Sequence, residues 1–235
     1  MSAFQDYLNL IQRNKNITFL TGAGVSTLSG IKDFRSADGL YNEKNDMSPE
    51  DILDVSYFYS NPKEFFNYYK KAFDLRNYEP NIVHKHIADL EKQGKNVSII
   101  TQNVDGLHTK AGSTDVIEFH GTIFKNKCID CQKTYEADYV FNADEVPKCE
   151  CGGIIKPEIV LYGEMPKETK TAVNKIHRSD VLVAIGSSLL VSPANTLIYD
   201  ALQDGIPVVI INRESTPFDR YATIVINDDF KNLFS

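Results

Sequence analysis

The chain is 235 residues long and 42% hydrophobic, with a formal net charge of −7 and a sequence pI near 5.3. That length can bury a full core, as one large domain or one with a small appendage. The acidity argues against nucleic acid as the main partner, no apolar run is long enough to span a membrane, and polar and acidic residues interrupt the N-terminal stretch where a signal peptide would need an apolar core, so a cytosolic protein is expected.

Phe4, Tyr7, Leu8 and Ile11 fall at i, i+3, i+4 and i+7 and predict an amphipathic first helix. Ile17-Thr18-Phe19-Leu20 reads as a buried strand, followed at once by Gly22, Gly24 and a segment able to start a helix. Bare backbone and free N–H groups at such a junction can approach a pyrophosphate. The third glycine of a dinucleotide fingerprint comes late, at Gly30, so the glycines alone fit a tight strand-to-helix turn equally well. The run Gly30-Ile31-Lys32-Asp33-Phe34-Arg35-Ser36 favours a ligand loop, because no apolar periodicity makes these residues core. Asp38-Gly39-Leu40-Tyr41 is a turn signal. Ser48-Pro49 and Asn61-Pro62 each set a cap residue before a proline at the first helical position, which predicts short helices from about 48 to 75. The aromatics there, Tyr57 to Phe73, read as the core of a small module rather than a binding platform. Another helix is expected over 81–93, stopped by Gly94.

A second buried strand, 97–101, runs into Gln102, Asn103, Val104 and Asp105. Polar residues at the carboxyl end of a parallel strand are ligand-contact candidates, although Asn, Asp and Gly also form ordinary turns. A short strand over 116–119 ends at His120-Gly121, where the histidine is either a general base or, the slightly simpler reading in isolation, a hydrogen-bonded structural residue. The four cysteines of the chain, Cys128, Cys131, Cys149 and Cys151, come as C-x2-C and C-x-C. Two close pairs suit a closed, structural zinc site of four thiolates; two disulfides are disfavoured by the cytosolic character. Pro157 is expected to close this ribbon, and 158–162 to form a strand. A helix over 167–177, a central strand over 181–185 meeting Gly186-Ser187-Ser188, a helix over 193–203, a strand over 207–211 running into Asn212-Arg213-Glu214, a last strand over 222–226 and a final helix follow. The alternation predicts an α/β fold, a doubly wound parallel, Rossmann-like sheet. Its domain would comprise 1–34, 80–121 and 157–235, interrupted by a helical module (35–79) and a zinc module (122–156) that meet beside the sheet.

GAGVSTLSGIKDFRS, TQNVDGLH, the His120-Gly121 pair, the four cysteines, IVLYGEMP, GSSLLVSPA and Ile211-Asn212 stand in the order found in the sirtuins, the NAD-dependent protein-lysine deacylases. The chain resembles that family over nearly its whole length, and its short bacterial branch most. The resemblance implies that Gly22, Ala23, Gly24, Thr27, Asp33 and Arg35 hold the pyrophosphate and nicotinamide ribose of NAD, with Phe34 covering the nicotinamide pocket. Gln102 and Asn103 would meet the nicotinamide ribose and an ordered water, and Val104 and Asp105 the nicotinamide. Gly186, Ser187, Ser188, Asn212, Arg213 and Phe230 would take the adenosine half. His120 matches the family's general base, with Asn103 beside it in catalysis. Val160, Leu161, Tyr162, Gly163 and Glu164, with Val191, would sandwich an acetyl-lysine peptide as an added strand. The implied reaction consumes NAD: the acyl oxygen attacks the ribose carbon as nicotinamide leaves, and His120 deprotonates the ribose so that its 2′ oxygen takes the acyl group.

Two departures bear on this. Lys32 replaces the family's usual proline, which removes a fixed φ from the cofactor loop. The sirtuins that prefer acidic acyl groups place a Tyr and an Arg on a small-domain helix, and the matching stretch Phe65-Phe66-Asn67-Tyr68-Tyr69-Lys70-Lys71 has no arginine. The resemblance therefore implies deacetylation, with longer aliphatic acyl groups open, and a monomer is expected. ADP-ribosyl transfer, an idle NAD-binding scaffold and a dehydrogenase are the competing readings. The scaffold has no use for His120, and the dehydrogenase lacks the glycine spacing and the acidic residue beyond a second strand.

Overall fold

The structure, a computed structural model, describes residues 2–34, 39–42 and 47–234. Arg35, Ser36 and Asp38 therefore lie outside the described residues. Six parallel strands form the main sheet: β1 (Asn16–Thr21), β2 (Asn96–Thr101), β3 (Val116–Glu118), β7 (Val181–Ile185), β8 (Val208–Ile211) and β9 (Ile224–Ile226). The spatial order is β3-β2-β1-β7-β8-β9. β1 and β7 are near-continuous apolar runs because both of their faces are covered. One face packs on helices Ala3–Arg13, Ile82–Lys92 and Phe230–Phe234, through Tyr7, Ile11, Ile87 and Phe230. The other packs on Thr169–Ile176 and Leu197–Gln203, through Ile176, Leu197 and Ile198. The chain winds outward from β1 to β3, then crosses to β7 and winds the other way. That reversal leaves a crevice between the carboxyl ends of β1 and β7, where open α/β sheets bind ligands.

A second, antiparallel sheet, in the order β5-β4-β6, is made by β4 (Gly121–Cys128), β5 (Thr134–Glu136) and β6 (Ile155–Ile159). It shares a separate core with helices Val55–Ser60 and Pro62–Phe73, in which Phe58, Phe65, Phe66, Tyr69 and Phe73 are buried. The aromatics of this stretch thus form a core, with neighbours such as Phe58 and Phe65 meeting edge to face at 5.0 Å.

Several local expectations change. The helix expected after the glycines is of 3-10 type, Ala23–Ser29. Gly30 closes it in the left-handed region (φ 90°), its N–H bonded to the Thr27 carbonyl, so it is a cap and not a phosphate glycine. Asn61 starts the helix Pro62–Phe73 without a side-chain cap. Pro157 does not end the ribbon. It sits inside β6, an edge strand, where a missing N–H is tolerated. The strand expected over 158–162 stops at Ile159, because Tyr162 turns to pair with Leu53 and Val55 instead, its N–H on the Leu53 carbonyl and its own carbonyl taking the Val55 N–H, both at 2.9 Å.

Candidate active site

The crevice opens into a cavity of about 350 Å³. Of the residues expected at a cofactor or substrate site, it is lined by Gly22, Ala23, Gly24, Thr27, Asp33, Phe34, Gln102, Asn103, Val104, Asp105, His120, Val160, Leu161, Tyr162, Gly163, Glu164, Gly186, Ser187, Ser188, Val191, Asn212, Arg213 and Phe230. Arg35 alone of that set is not described, and the cysteines lie elsewhere. The cavity collects residues from seven chain segments because each follows the carboxyl end of a strand or its linker.

Backbone packing explains the glycines. Gly22 and Gly24 run against the turn at Gly186: the Gly24 N–H donates to the Gly186 carbonyl at 2.8 Å, and a Cβ on Gly22 would stand 2.7 Å from that same oxygen. No side chain fits between the two strand ends, which leaves a bare backbone wall of the kind a pyrophosphate needs. Gln102 ties the wall together, donating from Nε2 to Ser187 Oγ at 2.9 Å.

His120 sits at the end of β3, half-buried. Its Nδ1 donates to the Gln102 carbonyl at 3.1 Å, which fixes the tautomer and leaves Nε2 as the basic nitrogen. Burial lowers its pKa, opposed by that hydrogen bond, so the ring is neutral at neutral pH. Its own carbonyl accepts the Val160 N–H at 2.8 Å, which fastens the histidine to the start of the 160–164 segment.

Behind the wall lies a buried polar chain that sequence reasoning only half found. Ser26 Oγ donates to Asp105 Oδ2 at 2.6 Å and accepts from Asn103 Nδ2 at 3.1 Å, while Asn103 also donates to the Gly22 carbonyl. His84 Nδ1 accepts the Asn81 N–H, so its Nε2 carries the proton and faces Ser26 Oγ at 3.5 Å. Burial raises the Asp105 pKa, against hydrogen bonds from Ser26 and from the Leu107 N–H, and pushes His84 down to about 4. Ser26 and His84 were missed, although Ser26 falls inside the glycine loop. His84 had one local sign, its place three residues after Asn81 in a capping box. The apolar wall formed by Leu53, Phe73 and Leu75 was also not foreseen as part of the cavity.

The four cysteine sulfurs lie within 4.8 Å of one another, and the pairs Cys128–Cys151 and Cys131–Cys149 are each at 3.5 Å. A tetrahedral zinc with bonds of about 2.3 Å needs sulfurs about 3.8 Å apart, so this donor set fits zinc. None of the four is in a disulfide. Tyr135 Oη donates to Cys149 Sγ at 3.0 Å, and Gly153 passes so close that a Cβ would meet Cys128 Sγ at 2.7 Å.

A parallel sheet whose switch point carries a glycine wall, with a histidine beside it and a separate module holding four clustered cysteines, defines an enzyme that handles a dinucleotide. Residues 22–193 match the model of the Sir2 family, and the chain belongs to that family. It is 46% identical to an NAD-dependent protein deacetylase of Clostridium tetani (strain Massachusetts / E88), over 99% of this chain and 96% of that one. Among solved structures, a Sir2 complex with a p53 peptide and NAD+ is 37% identical with a TM-score of 0.86, covering 97% of this chain and 94% of that one. A Sir2 complex with an inhibitor, 2′-O-acetyl-ADP-ribose and a deacetylated p53 peptide is 36% identical with a TM-score of 0.85, covering 96% and 93%.

Proposed function

We propose that this chain is an NAD-dependent protein-lysine deacetylase that yields free lysine, nicotinamide and 2′-O-acetyl-ADP-ribose. The observation that carries the reading is the place of His120: one residue lines the dinucleotide cavity, has its tautomer set by Gln102, and is bonded through its carbonyl to Val160. Base and peptide segment are therefore one mechanical unit.

In this reading the backbone wall at Gly22, Gly24 and Gly186 takes the pyrophosphate. Ser187, Ser188, Asn212, Arg213 and Phe230 meet the adenosine half, and Thr27, Asp33 and Phe34 the nicotinamide side. Asn103 and Asp105 are held by Ser26 in one arrangement, Asp105 to receive the carboxamide. The peptide enters as a strand along 160–164 and Val191. The Gly163 N–H and carbonyl and the Leu190 N–H have no partner among the described residues, so open backbone stands on both sides of the channel. His120 Nε2 removes the ribose proton and lets the 2′ oxygen attack the acyl carbon. Cys128, Cys131, Cys149 and Cys151 would hold zinc as a structural ion, since four protein ligands leave no open position. We assign 1–34, 80–121 and 157–235 to the dinucleotide domain, and 35–79 with 122–156 to the small domain. We read the chain as a monomer, and metal-bound thiolates suit the reducing cytoplasm.

Mass spectrometry of an acetyl-lysine peptide, with and without NAD, tests the reading. An NAD-dependent loss of one acetyl mass supports it; a peptide heavier by ADP-ribose would replace it with ADP-ribosyl transfer.

A further inference from the structure

Tyr41 and Tyr162 both line the cavity, and their hydroxyls meet at 2.7 Å. Each ring stands on a pinned backbone. The Tyr162 N–H and carbonyl are taken by Leu53 and Val55, and Tyr162 is the immediate neighbour of Gly163, whose backbone is open to a peptide. Tyr41 donates its N–H to the Phe34 carbonyl at 2.9 Å, Leu40 does the same to Asp33, and the Tyr41 and Phe34 ring centroids are 5.6 Å apart. One phenol therefore reports where the substrate segment lies, and the other where the Asp33–Phe34 end of the cofactor loop lies.

We propose that the Tyr41–Tyr162 hydrogen bond is a clasp that couples peptide binding to dinucleotide binding, with Tyr162 acting as a positioning residue on the cofactor loop through Tyr41. The proposal rests on the deacetylase reading. A peptide strand that fixes Gly163 fixes the Tyr162 ring; the hydroxyl pair then holds Tyr41, and Tyr41 holds Phe34 where the nicotinamide half must bind. Either ligand holds the hydroxyl pair in place, and the second meets the shared wall already positioned. Linkage makes the effect reciprocal. The bond is solvent-facing, which keeps its contribution to the coupling at about threefold.

The test measures the dissociation constant of an NAD analogue whose nicotinamide ribose oxygen is replaced by methylene, which binds but does not ionise. It is measured with and without an acetyl-lysine peptide, in the wild type, Tyr162→Phe, Tyr41→Phe and the double variant. The wild-type peptide should tighten the analogue. Each single variant should cut that ratio about threefold, and the double variant should be no worse than either single one. A ratio unchanged in Tyr162→Phe, effects that add in the double variant, or a wild-type ratio of one would overturn the clasp. A KM for NAD that rises in Tyr41→Phe at little-changed kcat separates positioning from damage to the chemistry. If the wild type deacetylates normally while the ratios stay equal, only the clasp fails; if the wild type removes no acetyl group from any peptide, the functional reading falls and the clasp with it.

Discussion

Nδ1 of His120 is committed to the Gln102 carbonyl, so a single nitrogen is left for chemistry. His120→Ala should lower kcat by about 10²–10⁴-fold, the usual contribution of a positioned base, with the fold intact by circular dichroism. Because burial lowers its pKa, the acid limb of kcat/KM should lie below the ordinary histidine value of about 6.5. Ser26 is the second informative residue. Ser26→Ala removes the donor to Asp105 and the acceptor of Asn103 together, leaving a buried carboxylate with the Leu107 N–H. Losses of this kind amount to roughly ten- to hundredfold in kcat/KM for NAD, read from steady-state kinetics.

The junction between the two sheets is where elements meet most tightly. A Cβ on Gly121 would stand 1.9 Å from the Glu158 carbonyl, and its φ of +80° already strains any other residue. Gly121→Ala must push β6 away from β4, and the 160–164 segment with it. A loss of at least about 3 kcal/mol in urea unfolding is expected. Gly94→Ala has a similar φ of +86° but nothing within 4 Å, so it should cost only the local strain, about 1 kcal/mol. The zinc module gives a parallel test. Chelation, or Cys149→Ser, should lower the melting temperature and then the activity, because this module's core continues into the Leu53 and Phe73 wall of the cavity. Release of zinc, followed with a colorimetric chelator, should track both losses.

At the scale of the whole molecule, burial lowers the pKa of four histidines, His84, His86, His108 and His120, and raises that of Asp105. A histidine held neutral when folded takes up its proton only on unfolding. Its stabilisation is therefore complete above about pH 6.5 and is lost as the pH falls towards the folded value. For His84, pushed down to about 4, the loss by pH 5 is about 2 kcal/mol. Asp105 acts in the opposite sense, since a raised carboxyl pKa favours the folded state as it protonates, but one group stands against four. The thermal midpoint should fall between pH 7 and pH 5; a midpoint constant over that range would mean the histidines reach solvent in the folded state.

What could be read from the chain alone was local. Apolar runs of four or five residues place β1, β2, β7 and β8, because a strand buried on both faces needs apolar side chains on each. The cysteine spacing gave the thiolate cluster, and the glycine loop with the polar strand ends pointed to one wall of the cavity. The family resemblance supplied the peptide and adenosine sides, while Ser26 and the apolar wall of Leu53, Phe73 and Leu75 were not found. The 160–162 segment misled, since its apolar sequence looks like a strand while its backbone groups belong to Leu53 and Val55. Only the tertiary structure decided the Ser26–Asp105 bond, across 79 positions, and the Tyr41–Tyr162 bond, across 121. Secondary structure follows from neighbours a few residues apart, whereas these contacts depend on the order in which strands line up and on where an inserted module packs, and no short-range pattern records either.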